Sequence, residues 1–144
     1  MAIVYFDSSA FVKLIVEEEG SELAAELWDG CDAVVSSRLA YPEVRAALAA
    51  AGRAHRLAPV EQARAETVWE QFWPSVRTVE LTEALAVRAG RLASDFALRG
   101  ADAVHLASLL AVDSADTLFA VWDQRLREGA QALGARLVPR AEPE

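Results

Sequence analysis

The run Ile3-Val4-Tyr5-Phe6-Asp7-Ser8-Ser9 decides the fold. Four apolar β-formers in unbroken succession mark a strand buried on both faces, as in a parallel sheet. The aspartate and two serines behind it are helix N-terminal signals. Strand passing directly into helix opens a β-α unit, and the rest of the chain repeats the pattern. The helix begun at Ser8 or Ser9 fades into Glu17-Glu18-Glu19-Gly20, and Ser21 restarts a helix that Asp29-Gly30 stops. Ala33-Val34-Val35 reads as a second strand, followed by a helical stretch from Arg38 to His55 that tolerates Pro42 only in its first turn. Pro59 opens a helix reaching Phe72-Trp73, closed by Pro74. Val76 to Glu80 is a third strand, Thr82 to Leu98 a helix stopped by Gly100, and Asp102 to Leu110 another helix. Thr117 to Trp122 is a fourth strand, Gln124 to Leu133 a helix, and Ala135 to Val138 a candidate fifth strand. Strands separated by helices require right-handed crossovers, so the pattern predicts an α/β fold of three layers with a four- or five-stranded parallel sheet between helices. It predicts one domain over residues 1–138 and a frayed tail over 139–144.

A chain of 144 residues suits one domain, and 53% hydrophobic with 25% charged residues excludes a disordered polymer. Its 14 basic and 22 acidic side chains give a formal charge of −8, which argues against a protein that coats nucleic acid through a basic surface. No apolar run reaches the ~18 residues of a membrane span, and Asp7 interrupts an opening segment that has no basic flank, unlike a signal peptide. The single cysteine, Cys31, fits a reducing compartment and reads as a small buried hydrophobe. The expectation is a soluble, cytoplasmic protein without a membrane partner.

In open α/β sheets ligands gather beyond the carboxyl ends of the strands. Asp7 follows the first strand and Asp123 the fourth, while Glu43 lies in the early turns of the helix after the second. Asp102 begins a helix whose preceding loop returns to the same rim. Four acids from four segments thus converge on one edge, with no lysine nearby, because Lys13 is the only lysine in the chain. Such carboxylates repel one another and raise their pKa values unless a cation intervenes. Hard oxygen donors of this kind suit Mg²⁺ or Mn²⁺. Each acid also has a plainer reading, Asp7 and Asp102 as helix caps and Asp123 as a turn residue. Glu43 is more telling, since it borders the apolar face formed by Leu39, Val44, Ala47 and Leu48, where a carboxylate needs a partner.

The other prominent side chains read as structural. Arg38, Arg45 and Arg56 fall within about 40° of one another on one helix and form a solvated stripe. His105 shares a helix face with Asp102 and is a core histidine or one that orients the preceding loop. Trp69, Phe72 and Trp73 form an aromatic stripe that belongs to the core.

Three segments carry a family resemblance: Tyr5-Phe6-Asp7-Ser8-Ser9-Ala10-Phe11-Val12-Lys13-Leu14, Arg99-Gly100-Ala101-Asp102-Ala103-Val104-His105-Leu106-Ala107, and Val121-Trp122-Asp123-Gln124-Arg125-Leu126. They resemble the PIN-domain ribonucleases, and most of all the toxin half of VapBC-type toxin–antitoxin pairs. Each motif alone is weak, but their order and spacing over residues 1–138 match together. The resemblance implies strand order 3-2-1-4-5 and an acidic pocket that cuts RNA with Mg²⁺ or Mn²⁺. It further implies a homodimer and a small VapB-like antitoxin. Carried over by position, Asp7, Glu43, Asp102 and Asp123 are the catalytic set. Asp7, Asp102 and Asp123 hold metal in this reading, and Ser9 supports Asp7. Trp122 before the last acid and Pro42 beside Glu43 depart from the commoner pattern, and Trp122 narrows the expected pocket.

Other classes fit less well. A phosphoaspartyl enzyme of the haloacid-dehalogenase kind needs a second acid two residues after the first, where this chain has Ser9, and a lysine for which only Lys13 is available. A two-component receiver module fails on the same counts. A catalytically silent PIN-like binding module is the alternative that the four acids oppose.

Overall fold

Side chains alternate across a strand, and this alternation divides the interior in two. In a computed structural model that describes residues 2–112 and 116–140, the first strand, β1 (Ile3–Phe6), sends Val4 and Phe6 to one face of the sheet and Tyr5 to the other. Parallel pairing joins β1 to β2 (Ala33–Ser37) on one side and to β4 (Leu118–Ala120) on the other. Outer strands β3 (Arg77–Val79) and β5 (Arg136–Val138) complete a five-stranded sheet in the order β3-β2-β1-β4-β5. The expected α/β class, parallel sheet and strand order all stand.

Helices α1 (Ser8–Ile15), α2 (Ser21–Gly30), α3 (Ala40–Arg53) and α4 (Pro59–Phe72) lie on the Val4 and Phe6 side. Helices α5 (Glu83–Phe96), α6 (Gly100–Ala111) and α7 (Gln124–Ala132) lie on the Tyr5 side. The predicted aromatic stripe is core at its centre: Trp69 is fully buried, with its ring centroid 4.9 Å from Phe11 and 5.2 Å from Trp73. Its indole N–H has no hydrogen-bond partner, so packing alone holds Trp69 in place.

Local signals set the element ends. Thr82 accepts the Leu85 N–H and caps α5, and the Glu61 carboxylate accepts the Ala58 N–H at 2.9 Å at the start of α4. Gly20 takes φ +96 before α2, where an added Cβ would meet the Trp122 indole nitrogen at 3.1 Å. Three expectations are corrected. Because α3 spans only Ala40–Arg53, Arg38 and Arg56 lie off it and no single stripe forms. Arg38 instead grips Glu80, and Arg45 reaches Glu66 and Glu70. Ala47 is exposed, so the buried face of α3 is Ala40, Val44 and Leu48. Cys31 is half-buried rather than buried, with its thiol facing the Trp28 carbonyl at 3.5 Å.

Of the predicted frayed tail, residues 141–144 lie outside the described residues. The Pro139 carbonyl is anchored, accepting from Arg127 at 2.6 Å. Among the described residues no helix is long and apolar enough to cross a membrane.

Truncating Trp69 to Ala should lower unfolding free energy by about 3–5 kcal/mol, the cost of a large cavity in a packed core, as read from denaturant melts. A loss below 1 kcal/mol would mean that the core collapses freely around the gap.

Candidate active site

The carboxyl ends of β1 and β4, with the first turns of α3 and α6, bring the four acids to one rim. Asp7 ends β1 and caps α1, its Oδ1 accepting from the Ala10 N–H at 3.0 Å and from the Ser9 hydroxyl at 2.6 Å. The Ser9 oxygen in turn accepts the Trp122 N–H at 3.2 Å, tying β1 to the segment after β4. Both contacts fall on Oδ1, and among the described residues no hydrogen bond reaches Oδ2 of this carboxylate, which is only 3% exposed. Burial pushes Asp7 up to about 6, against the opposing pull of His105, Ser9 and Ala10. Glu43 adds a further upward push.

Asp123 caps α7 in the same way, with Oδ1 on the Leu126 N–H at 3.0 Å. Capping and site membership are therefore not rivals at Asp7 and Asp123, because one oxygen serves each. Asp102 is no cap. Arg99 occupies the cap position of α6, and its Nε donates to Asp102 Oδ2 at 3.1 Å. A second nitrogen of the same guanidinium, Nη2, stands 3.5 Å from Asp123 Oδ2.

Arg99 corrects the expectation of an acidic cluster without a cation. Hydrogen bonding to Asp102 first, then the charges of Asp102, Asp123 and Glu43, hold its guanidinium above its ordinary range. Its position three residues before Asp102 was the available signal, since such pairs meet on a helix surface. Lys13 stays away, paired to Glu18 at 3.2 Å with its ammonium 5.9 Å from the centroid of the Trp122 ring. Trp122 therefore packs with Lys13 and Gly20.

Glu43 finds the partner that its position demands. His105 on α6 is 1% exposed, and its Nε2 stands 2.5 Å from Glu43 Oε1. Its Nδ1 meets the Tyr5 hydroxyl at 2.8 Å. His105 is thus a core histidine that holds an acid of the rim.

Among the described residues, no three His, Cys, Asp or Glu side chains form a ready metal cage. The donor chemistry nonetheless suits a hard divalent cation. The Asp7 Oδ2 oxygen is a hard donor, and Arg99 shows that positive charge settles between Asp102 and Asp123. Mg²⁺ is usually held by one or two carboxylates and several waters rather than by an all-protein cage.

With this geometry in view, the decisive comparison is with a family model described as PIN domain, which matches residues 4–130. The chain belongs to the PIN-domain family. It is 62% identical over 139 residues to Ribonuclease VapC49 of Mycobacterium tuberculosis, covering 96% of each chain. Among solved structures it resembles FitAcB from Neisseria gonorrhoeae, with a TM-score of 0.67 at 15% identity over 93% of this chain and 95% of that one. VapBC2 from Rickettsia felis, bound to a promoter DNA fragment, gives 0.64 at 9% identity over 94% of this PIN chain and 96% of its match. At these identities the two structures bear on the fold alone, and the curated relative places the chain among the VapC-like PIN ribonucleases.

The raised pKa of Asp7 has a sign. The folded state holds its proton up to about pH 6, whereas the unfolded chain loses it near the ordinary value of 3.8. Stability is therefore shed as pH rises through that window, and the full cost above it is about 3 kcal/mol. In EDTA, Asp7→Asn should melt above wild type at pH 7.5, and the gap should close by pH 4. A gap that widens on acidification would reverse the assignment.

Proposed function

We propose that this PIN-domain protein is the toxin of a toxin–antitoxin pair, a metal-dependent endoribonuclease that hydrolyses RNA phosphodiesters at the rim built by Asp7, Glu43, Asp102 and Asp123. The observation that carries the reading is the convergence of these four acids, from four separate segments, on a chain 62% identical to a VapC ribonuclease. Asp7, Asp102 and Asp123 would hold Mg²⁺ or Mn²⁺. Such an ion, when bound, acidifies water and draws charge from the scissile phosphate. Ser9 keeps Asp7 oriented from behind. Glu43, fixed by His105, orients the attacking water and accepts its proton. Arg99 is two-thirds exposed, so its guanidinium can turn from the carboxylates to an RNA phosphate, a group that its fork of donors fits. As the water oxygen bonds to phosphorus, the P–O3′ bond breaks and O3′ takes up a proton, leaving a 5′-phosphate and a 3′-hydroxyl.

The −8 charge is no obstacle in this reading, because bound cations bridge acidic protein and anionic substrate. An acidic rim also defines the inhibitor: a VapB-like antitoxin would reach it with an arginine. A homodimer in the cytoplasm completes the proposal.

Cleavage of total RNA with Mg²⁺ or Mn²⁺ tests it. Asp102→Asn and Asp123→Asn should each lower kcat by ~100-fold or more, since stabilising the charged transition state accounts for several kcal/mol of the barrier. EDTA should abolish activity. Full cleavage in excess EDTA would sink the mechanism, and a wild-type protein that binds Mn²⁺ without cutting RNA would leave a silent binding module.

Arg99 competes with the cation for the same oxygens. Arg99→Ala should therefore tighten Mn²⁺ binding by about two- to fivefold, the scale of an exposed ion pair, in calorimetric titrations. Weaker Mn²⁺ binding by the variant would mean that Arg99 helps to build the metal site.

A further inference from the structure

Three elements meet in a buried chain of hydrogen bonds behind Glu43. Tyr5 of β1 is fully buried, and its hydroxyl oxygen accepts the Ser37 N–H at 3.1 Å from the end of β2. The two neighbouring serine hydroxyls spend their own protons on carbonyls, Ser36 on Phe6 at 2.6 Å and Ser108 on Val104 at 2.7 Å. The phenol oxygen stands 2.8 Å from His105 Nδ1, and the two rings meet edge-on at 86°. On the opposite side of the imidazole, Nε2 faces a carboxylate oxygen of Glu43 at 2.5 Å. A carboxylate accepts, so Nε2 carries hydrogen, and in the neutral imidazole Nδ1 then offers its lone pair to the Tyr5 O–H. Burial pushes the Tyr5 phenol far above its ordinary range, which keeps it a donor at any working pH.

We propose that Tyr5 and His105 are positioning residues for the RNase reaction. Tyr5 fixes the Nε2–H tautomer of His105, and His105 then holds Glu43 by Oε1, leaving its second oxygen to meet water. The inference rests on the reading of Glu43 as the residue that orients the attacking water. A histidine whose tautomer is set by the partner of its other nitrogen is a recurrent device. Here it would run from the centre of the sheet to its rim. Without Tyr5 the imidazole can flip or change tautomer, and a lone pair at Nε2 would face the Glu43 carboxylate.

The test joins a spectroscopic signature to a kinetic split, both on the full chain. In ¹⁵N-labelled protein the chain's two histidines, His55 and His105, are assigned by His55→Gln. His105 should show hydrogen on Nε2 and an unprotonated Nδ1 in metal-free wild type. Asp7→Asn, which removes a carboxylate of the proposed metal site, should keep that signature. Tyr5→Phe should lose it and lower kcat 10–100-fold at unchanged KM for RNA, the usual effect of removing a partner that orients an active-site group. His105→Gln, which still places an N–H donor toward Glu43, should retain more kcat than His105→Leu at matched melting temperature. Hydrogen on Nδ1 in wild type would overturn the proposal. So would wild-type kcat in Tyr5→Phe, even with a lowered melting temperature. Full activity of Glu43→Gln would instead remove Glu43 from the reaction, a failure of the underlying reading that leaves the tautomer result standing.

Discussion

A carboxylate at the end of the central strand is sealed from water, and the site is organised around that fact. Asp7 is 3% exposed, and desolvation alone would drive such a group to protonate. The fold counters with Ser9 and the Ala10 N–H on one oxygen and with the imidazole of His105 nearby. These groups come from α1 and α6, so the packing of helices on both faces of β1 bears on the charge of the residue that follows it. A second effect works at longer range. Asp7 and Asp123 cap helices, while Glu43 and Asp102 lie in first turns, so the positive ends of four helix dipoles gather where negative charge is concentrated.

Much of this arrangement was legible in the sequence because it follows from local rules. The apolar run before Asp7 announced a buried parallel strand, and the alternation of strand and helix predicted the sheet. Strand ends located Asp7 and Asp123, and helix starts located Glu43 and Asp102, without any knowledge of side-chain direction. Glu43 was singled out by its place beside the buried face of α3, and the partner that it needed is there.

The unread parts depend on direction and reach, which spacing does not carry. Tyr5 looked like one more apolar strand residue. Only the facing of β1 shows that its hydroxyl crosses to α6, 100 residues away in sequence. Arg99 carries no strand-end signal, yet its long side chain spans two acids from one exposed position. The arginine stripe failed for the opposite reason. Helical arithmetic was extended past both ends of α3, and it has no force where the backbone is not helical.

Gly20 stands away from the acids and contributes no chemistry. Its backbone has φ +96, and a side chain there would press on the indole of Trp122, the residue whose backbone N–H donates to the Ser9 hydroxyl oxygen. The left-handed backbone alone costs an L-residue about 1–2 kcal/mol, and an added Cβ would also push the indole back by a few tenths of an ångström. Among natural variants, glycine at this position would be kept by geometry alone. A conservation map would then score as functional a residue that brings no side chain to the rim.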